Sequence, residues 1–339
     1  MSIEISTLLN KLVARQSLTP EESEAVFGRV IRGELSPALV GGLLVGLATK
    51  GESVDEILGA VSALRAHAVP LTIQALDAVD TCGTGGDAKH TFNVSTAAAL
   101  IASAAGVPVA KHGNRAMSGL IGAADVLEAA GVRIDLTPEQ VARCIDQTGV
   151  GFAFAPTFHP AMRHAAPIRR ELGIRTIFNL LGPLANPAGV RRQVVGVFSD
   201  RWLEPLAEVL QRLGSIHVMV VHGSDGVDEI SLSAETHVAE LRDGAIRRYQ
   251  LMPEDLGFPR QELAAIRISS LEEAVASLLG VIEGRPGPLL DIALLNAGAA
   301  IHVGGRTPDL RQGVDAARGA VESGAARRQL ERLIEVSRQ

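Results

Sequence analysis

The apolar positions of residues 1–72 fall into short helical runs, such as 38–48 and 57–66, and polar residues mark where the runs begin. Thr19-Pro20-Glu21-Glu22 puts Thr at the N-cap, Pro at the first helical position and Glu three residues after the cap. Ser36-Pro37 and Ser53-Val54-Asp55-Glu56 give two more start signals. No alternating pattern competes here, so the stretch predicts helices alone. Near Asp77 the pattern changes. Short apolar runs at 78–81, 107–111, 132–136, 151–154, 193–198 and 217–221 predict strands. Helices are predicted at 95–105, at 123–130 before Gly131, after the capping box Thr137-Pro138-Glu139-Gln140, and at 201–213 before Gly214. The runs 238–241 and 246–249 flank Asp243-Gly244, a hairpin signal, and the chain from 288 onward is again helical. Strands alternating with helices predict an α/β fold with a mostly parallel central sheet covered by helices. The expected division is a helical domain at 1–72 and a larger α/β domain at 73–339.

Composition narrows the class. Of 339 residues, 47% are apolar but only 3% aromatic, so Ala, Val, Leu and Gly must fill the core. A formal net charge of −6 weighs against a basic nucleic-acid footprint. No run of about 18 apolar residues lacks a charge or breaker, which argues against a membrane span. Met1-Ser2-Ile3-Glu4-Ile5 has neither a basic nor an apolar leader region, which argues against a signal peptide. Cys82 and Cys144 cannot build a disulfide framework or a four-cysteine metal site; they are expected as buried small hydrophobes in a reducing cytoplasm.

Four segments carry candidate chemistry. Asp80-Thr81-Cys82-Gly83-Thr84-Gly85-Gly86-Asp87 is followed by Thr91-Phe92-Asn93-Val94-Ser95-Thr96. Its glycines let the backbone turn sharply and present N–H groups, and Asn93, Ser95 and Thr96 are candidate caps of the next helix. Glycines alone would suit a plain strand-to-helix turn equally, but with the Asn, Ser and Thr hydrogen-bonding groups beside them the segment reads as a phosphate site. It is neither a Walker loop nor a dinucleotide fingerprint, because Ala88 replaces the third glycine and no acidic residue follows about 20 positions on. The second segment, Lys111-His112-Gly113-Asn114-Arg115-Ala116-Met117-Ser118-Gly119, follows a predicted strand and offers two cations, an imidazole and an amide. It suits a multiply charged phosphate ester better than the alternative, a solvated basic loop. The third, Asp228-Glu229, has the oxygen ligands Mg²⁺ prefers, but such a pair is common and taken alone reads first as an exposed turn. The fourth runs from Phe158 to Pro187 and includes Arg163, Arg169, Arg170 and Arg175; an arginine fork there could hold a carboxylate, or lie on a helix surface.

Taken in order, Gly-Thr-Gly-Gly-Asp at 83–87, Thr-Phe-Asn-x-Ser-Thr at 91–96, Lys-His-Gly-Asn-Arg at 111–115, Arg-Thr-x-Phe-Asn-x-x-Gly-Pro-x-x-Asn-Pro at 175–187 and Val-Asp-Glu at 227–229 resemble the anthranilate phosphoribosyltransferases of tryptophan biosynthesis. The resemblance runs from about residue 5 to about 335. It implies transfer of a phosphoribosyl group from phosphoribosyl pyrophosphate (PRPP) to the amine of anthranilate. It implies a helical domain completed by a segment near 160–190, a homodimer joined through the helical domains, and two Mg²⁺ ions. By resemblance Gly83, Gly86, Asp87, Thr91, Asn93, Val94, Ser95, Thr96, Lys111, His112, Gly113, Asn114, Arg115, Ala116, Met117, Ser118, Gly119 and Ala123 surround PRPP. Gly83, Asn114 and Arg169 contact anthranilate, with His112 and Pro183 near it. Ser95 serves one metal; Asp228 and Glu229 serve the other. No catalytic acid or base is implied; Asn114, Arg169 and His112 position the acceptor.

The chain departs from the family pattern twice. Ala88 stands where Gly is usual, and Ser118-Gly119-Leu120-Ile121-Gly122-Ala123 replaces a serine-rich stretch, removing hydroxyls at 119 and 123. A pyrimidine nucleoside phosphorylase shares the general architecture, but its Lys-His-Ser-Thr-Gly-Gly loop is missing. A nucleic-acid-binding relative would need a basic groove and could dispense with Asp228-Glu229.

Overall fold

The computed structural model describes residues 4–85, 89–116 and 121–339. Gly86, Asp87, Ala88, Met117, Ser118, Gly119 and Leu120 lie outside the described residues.

The start signals act as read. Thr19 and Ser53 cap the helices Pro20–Ile31 and Val54–Ala66, each with the Glu three residues on reaching back to the cap, and Ser36 caps Pro37–Lys50. Past this bundle, seven strands among the described residues form one sheet: β1 (Val79–Thr81), β2 (Val109–Gly113), β3 (Val150–Phe154), β4 (Arg192–Gly196), β5 (His217–Gly223), β6 (Thr236–Arg242) and β7 (Ala245–Leu251). Their order is β3-β2-β1-β4-β5-β6-β7. β1 to β5 are parallel, and the β6–β7 hairpin turning at Asp243-Gly244 adds two antiparallel strands.

The sheet is covered on both faces, and its sequence shows why. Val195, Val218 and Val220 join one core with the N-terminal helices and Leu203–Arg212; their neighbours Val194, Met219 and Val221 join the other, under the helices Val94–Ala104 and Pro288–Val303. The first core also takes in Ile177, Phe178, Leu180, Leu181 and Leu184, so the 178–184 segment packs with the bundle rather than over the sheet's other face.

One expected strand is not a strand. Val132, Ile134 and Leu136 are buried and alternate with exposed Arg133 and Asp135, yet the segment pairs with no strand. It is an extended connection, and the Arg133 N–H donates to the Ser337 hydroxyl at the end of the last helix. The two-residue alternation recorded burial on one side, which strands and extended connections share. No helix among the described residues is long and apolar enough to cross a membrane.

Candidate active site

Chain order reverses about β1: the chain steps outward through β2 and β3, then returns to the other side for β4 and β5. At such a switch point the loops leaving adjacent strands part and open a crevice at their carboxyl ends. Here the crevice is a cavity of about 380 Å³.

Cys82–Gly85 leaves β1 and stays close to the end of β4. The Thr84 N–H donates to the Gly196 carbonyl (2.8 Å), and the Gly85 N–H donates to Asp228 Oδ2 (2.8 Å). This approach needs glycine. A Cβ on Gly196 would stand 1.6 Å from the Asp228 carbonyl oxygen, and one on Gly83 would stand 2.8 Å from Asp228 Oδ2. The glycine loop therefore lies directly on the Asp228-Glu229 segment, 143 residues away in sequence, and both carboxylates line the cleft.

The helix Val94–Ala104 starts at the same cleft. Asn93 holds its N-cap position but does not cap it; Asn93 Nδ2 donates instead to the Ile121 carbonyl (3.2 Å). The expected side-chain cap is thus replaced by a tie to the opposite wall, leaving the helix start without a side-chain cap. Ser95 lines the cleft, whereas Thr96, one residue and about 100° further round the helix, is turned into the core and is 1% exposed. Of the residues expected around PRPP and described, Thr96 is the one that does not line the cavity.

β2 delivers Lys111 and His112. Lys111 is buried; its ammonium donates to the Thr81 carbonyl and to the Ser95 hydroxyl (3.2 Å). His112 is fixed from below and beside. Its backbone N–H donates to Asp80 Oδ1 (3.1 Å), and its Nδ1 meets the Gly182 carbonyl (3.2 Å), so Nδ1 bears the proton and Nε2 the lone pair. Burial, followed by the neighbouring His159 ring at 5.2 Å, drives the His112 imidazole down to about 3. It is a neutral group at any physiological pH.

Arg115 is less available than the motif suggests: its guanidinium pairs with Asp125 (2.8 Å) and Glu128 (2.9 Å) at the surface. Arg169, on the helix Ala166–Leu172, differs. Its guanidinium lies 5.3 Å over the Phe178 ring, burial lowers its pKa, and it has no carboxylate partner among the described residues. It lines the cleft together with Asn179, Gly182 and Pro183, from a segment of chain other than the glycine loop's.

The structure thus gathers Gly83, Thr91, Asn93, Val94, Ser95, Lys111, His112, Gly113, Asn114, Arg115, Ala116, Ala123, Arg169, Asp228 and Glu229 around one cavity. Cys144 is buried as expected, but Cys82 is only part-buried and lines the cleft. Two groups beneath the site were not legible. Asp80, wholly buried, receives the His112 N–H and Asn186 Nδ2 (2.8 Å), and Asn186 also ties to the Ala110 carbonyl. Their signals were present, at the head of the glycine segment and in the Ala-Asn-Pro of 185–187, but nothing in the sequence joined residues 106 positions apart.

Comparison with known proteins agrees with this geometry. Residues 6–68 match the helical bundle domain of a glycosyl transferase family, and residues 75–327 match its a/b domain. The anthranilate phosphoribosyltransferase of Thioalkalivibrio sulfidiphilus is 54% identical, covering 98% of each chain. The crystal structure of anthranilate phosphoribosyltransferase from Thermus thermophilus superposes with a TM-score of 0.93 at 46% identity, over 98% of this chain and 99% of that one. The Saccharomyces cerevisiae enzyme in complex with PRPP and Mg gives 0.89 at 26% identity, over 98% and 97%.

Proposed function

This chain belongs to the anthranilate phosphoribosyltransferase family, and from that membership we propose the division of labour by which its cleft moves the phosphoribosyl group of PRPP onto the amine of anthranilate. The products are N-(5-phosphoribosyl)anthranilate and pyrophosphate, a step of tryptophan biosynthesis. The observation that carries the assignment is that one cleft holds both an anion cradle and, from a different segment, a guanidinium that no carboxylate among the described residues neutralises.

PRPP takes the cradle side. The glycine loop at Gly83 and the helix start at Thr91 to Ser95 face its phosphates, and buried Lys111 supplies a fixed charge; Gly86 and Asp87, given to PRPP by the family pattern, lie outside the described residues. Gly113 to Ala116 and Ala123 line the same cleft and take the rest of the donor; Met117, Ser118 and Gly119, given to PRPP by the family pattern, lie outside the described residues. Breaking the bond from ribose C1 leaves positive character on the ring and negative charge on pyrophosphate. Preorganised N–H groups and Lys111 stabilise that charge without reorganising.

Mg²⁺ fits the donors present. The Ser95 hydroxyl and the Asp228 and Glu229 carboxylates are hard oxygens lining the cleft, and the yeast relative was solved with PRPP and Mg. We assign two ions, one at Ser95 and one at Asp228-Glu229. When bound, Mg²⁺ neutralises pyrophosphate charge and so improves the leaving group.

Anthranilate takes the other side. Its carboxylate pairs with Arg169, and Asn114 and Gly83 contact the ring and amine. His112 is buried and neutral, so it shapes the acceptor site without repelling Arg169. Holding amine and C1 in register supplies much of the rate. The 160–190 segment completes a helical domain at residues 1–72, and the protein works in the cytoplasm as a homodimer.

Loss of anthranilate fluorescence on adding PRPP and Mg²⁺ tests the reading. Turnover is expected with both present and with neither alone; fluorescence that persists would remove its basis.

A further inference from the structure

The end of the sheet away from the cleft carries a second cluster of chemistry. His217 opens β5, Glu240 sits in β6 opposite Met219, and His302 lies in the last turn of the helix Pro288–Val303. β5 runs seven residues from His217 to Gly223, so the cluster stands roughly 20 Å from the cleft at a rise of about 3.3 Å per residue.

We propose that His217, Glu240 and His302 form a binding site for a transition-metal ion of the zinc class. His217 Nε2 lies 2.7 Å and His302 Nε2 3.4 Å from Glu240 Oε1, and the three donor atoms fall within 4.8 Å of one another. Two imidazole nitrogens and one carboxylate oxygen form a donor set that takes zinc and rejects Mg²⁺.

The surroundings orient the ligands as a metal requires. His302 Nδ1 meets the Thr307 carbonyl (3.2 Å), which puts the proton there and the lone pair on Nε2. The Tyr249 hydroxyl donates to Glu240 Oε2 (2.9 Å), leaving Oε1 toward the imidazoles. His217 and His302 are both nearly buried yet border a cavity of about 390 Å³, which gives an entry path and room for a water as fourth ligand.

Arg242 is the competitor. Its guanidinium stands 3.5 Å from His302 Nε2 and 3.3 Å from the Pro308 carbonyl, with the Asp243 carboxylate 3.8 Å from its Nε. An entering cation displaces it toward Asp243. The bound metal joins the end of the Pro288–Val303 helix to β5 and β6.

The test uses the full chain, stripped with a chelator and titrated with Zn²⁺ alone by calorimetry, with Co²⁺ absorption as a ligand-field readout. One tight equivalent is expected, with a higher melting temperature. Asp228→Asn should retain it; His302→Ala and the isosteric Glu240→Gln should lose it while keeping transferase activity. Arg242→Ala keeps all three ligands and should bind more tightly. Absence of tight Zn²⁺ uptake, uptake lost in Asp228→Asn but kept in Glu240→Gln, or weaker binding by Arg242→Ala would each overturn the site.

Discussion

Arg169 and His112 show how burial decides what a side chain does. A guanidinium over the Phe178 ring, short of water and without a carboxylate partner among the described residues, is poised for an anionic ligand. A hydrogen bond to a charged group contributes about 1.5–3 kcal/mol, or roughly 10- to 150-fold in affinity. Arg169→Ala is therefore expected to raise the KM for anthranilate by that factor and leave the KM for PRPP nearly unchanged, read from fluorescence kinetics at saturating co-substrate. An equal rise in both would place Arg169 elsewhere in the mechanism. Asp228→Asn should act on the other substrate: more Mg²⁺ is needed for half-maximal rate, with anthranilate KM little altered. A magnesium titration of the two proteins side by side decides it.

At the scale of elements, the glycine loop, β4 and the Asp228-Glu229 turn form one contact. Gly196→Ala would drive a Cβ into the Asp228 carbonyl oxygen, so the turn must move. Overpacking of this kind costs about 1–3 kcal/mol, and here it also displaces the segment proposed to hold Mg²⁺. A lower melting temperature together with a weakened Mg²⁺ response is expected; a stability loss with normal Mg²⁺ dependence would separate the loop from the metal. β1 and β2 are joined beneath the site by Asp80. Burial raises its carboxyl to about 6, against the Lys111 charge and hydrogen bonds from Asn186 and the His112 N–H. The folded value lies above the unfolded one, so the native state holds a proton that the unfolded chain releases between pH about 4 and 6. This contribution favours the fold at low pH and is lost as pH rises through about 6, by up to about 3 kcal/mol. Denaturant unfolding from pH 4 to 7 should show that decline in the parent and not in Asp80→Asn.

At the scale of the whole molecule, the helix Pro37–Lys50 is apolar almost all round, yet only Val40, Leu43, Leu44 and Leu47 on it are buried hydrophobics. Val45 is 40% exposed on it, and Val13 is 84% exposed at the end of the helix Ile5–Val13, which packs against it. An exposed apolar helical face of this kind suits a second copy of the chain. Light scattering is expected to give twice the 35.5 kDa chain mass, and Val45→Asp to lower it. A monomeric parent would exclude the proposed dimer.

The caps, the hairpin and the alternating helix–strand order were legible in sequence because each depends on residues within a few positions of one another. Thr19, Ser53 and Asp243-Gly244 act through bonds to their own neighbours, so a local pattern suffices. The glycine loop, Lys111-His112 and Asp228-Glu229 were legible as chemistry for the same reason. Their meeting was not, nor were Asp80 beneath His112, Asn186 beneath both, and Thr96 facing inward. Residues 132–136 alternate as a strand would, yet no partner strand reaches them. Strand order, the switch point at β1 and the side of each helix that faces the cleft follow from packing two cores at once. That is a balance among residues more than 100 positions apart, and only the folded chain strikes it.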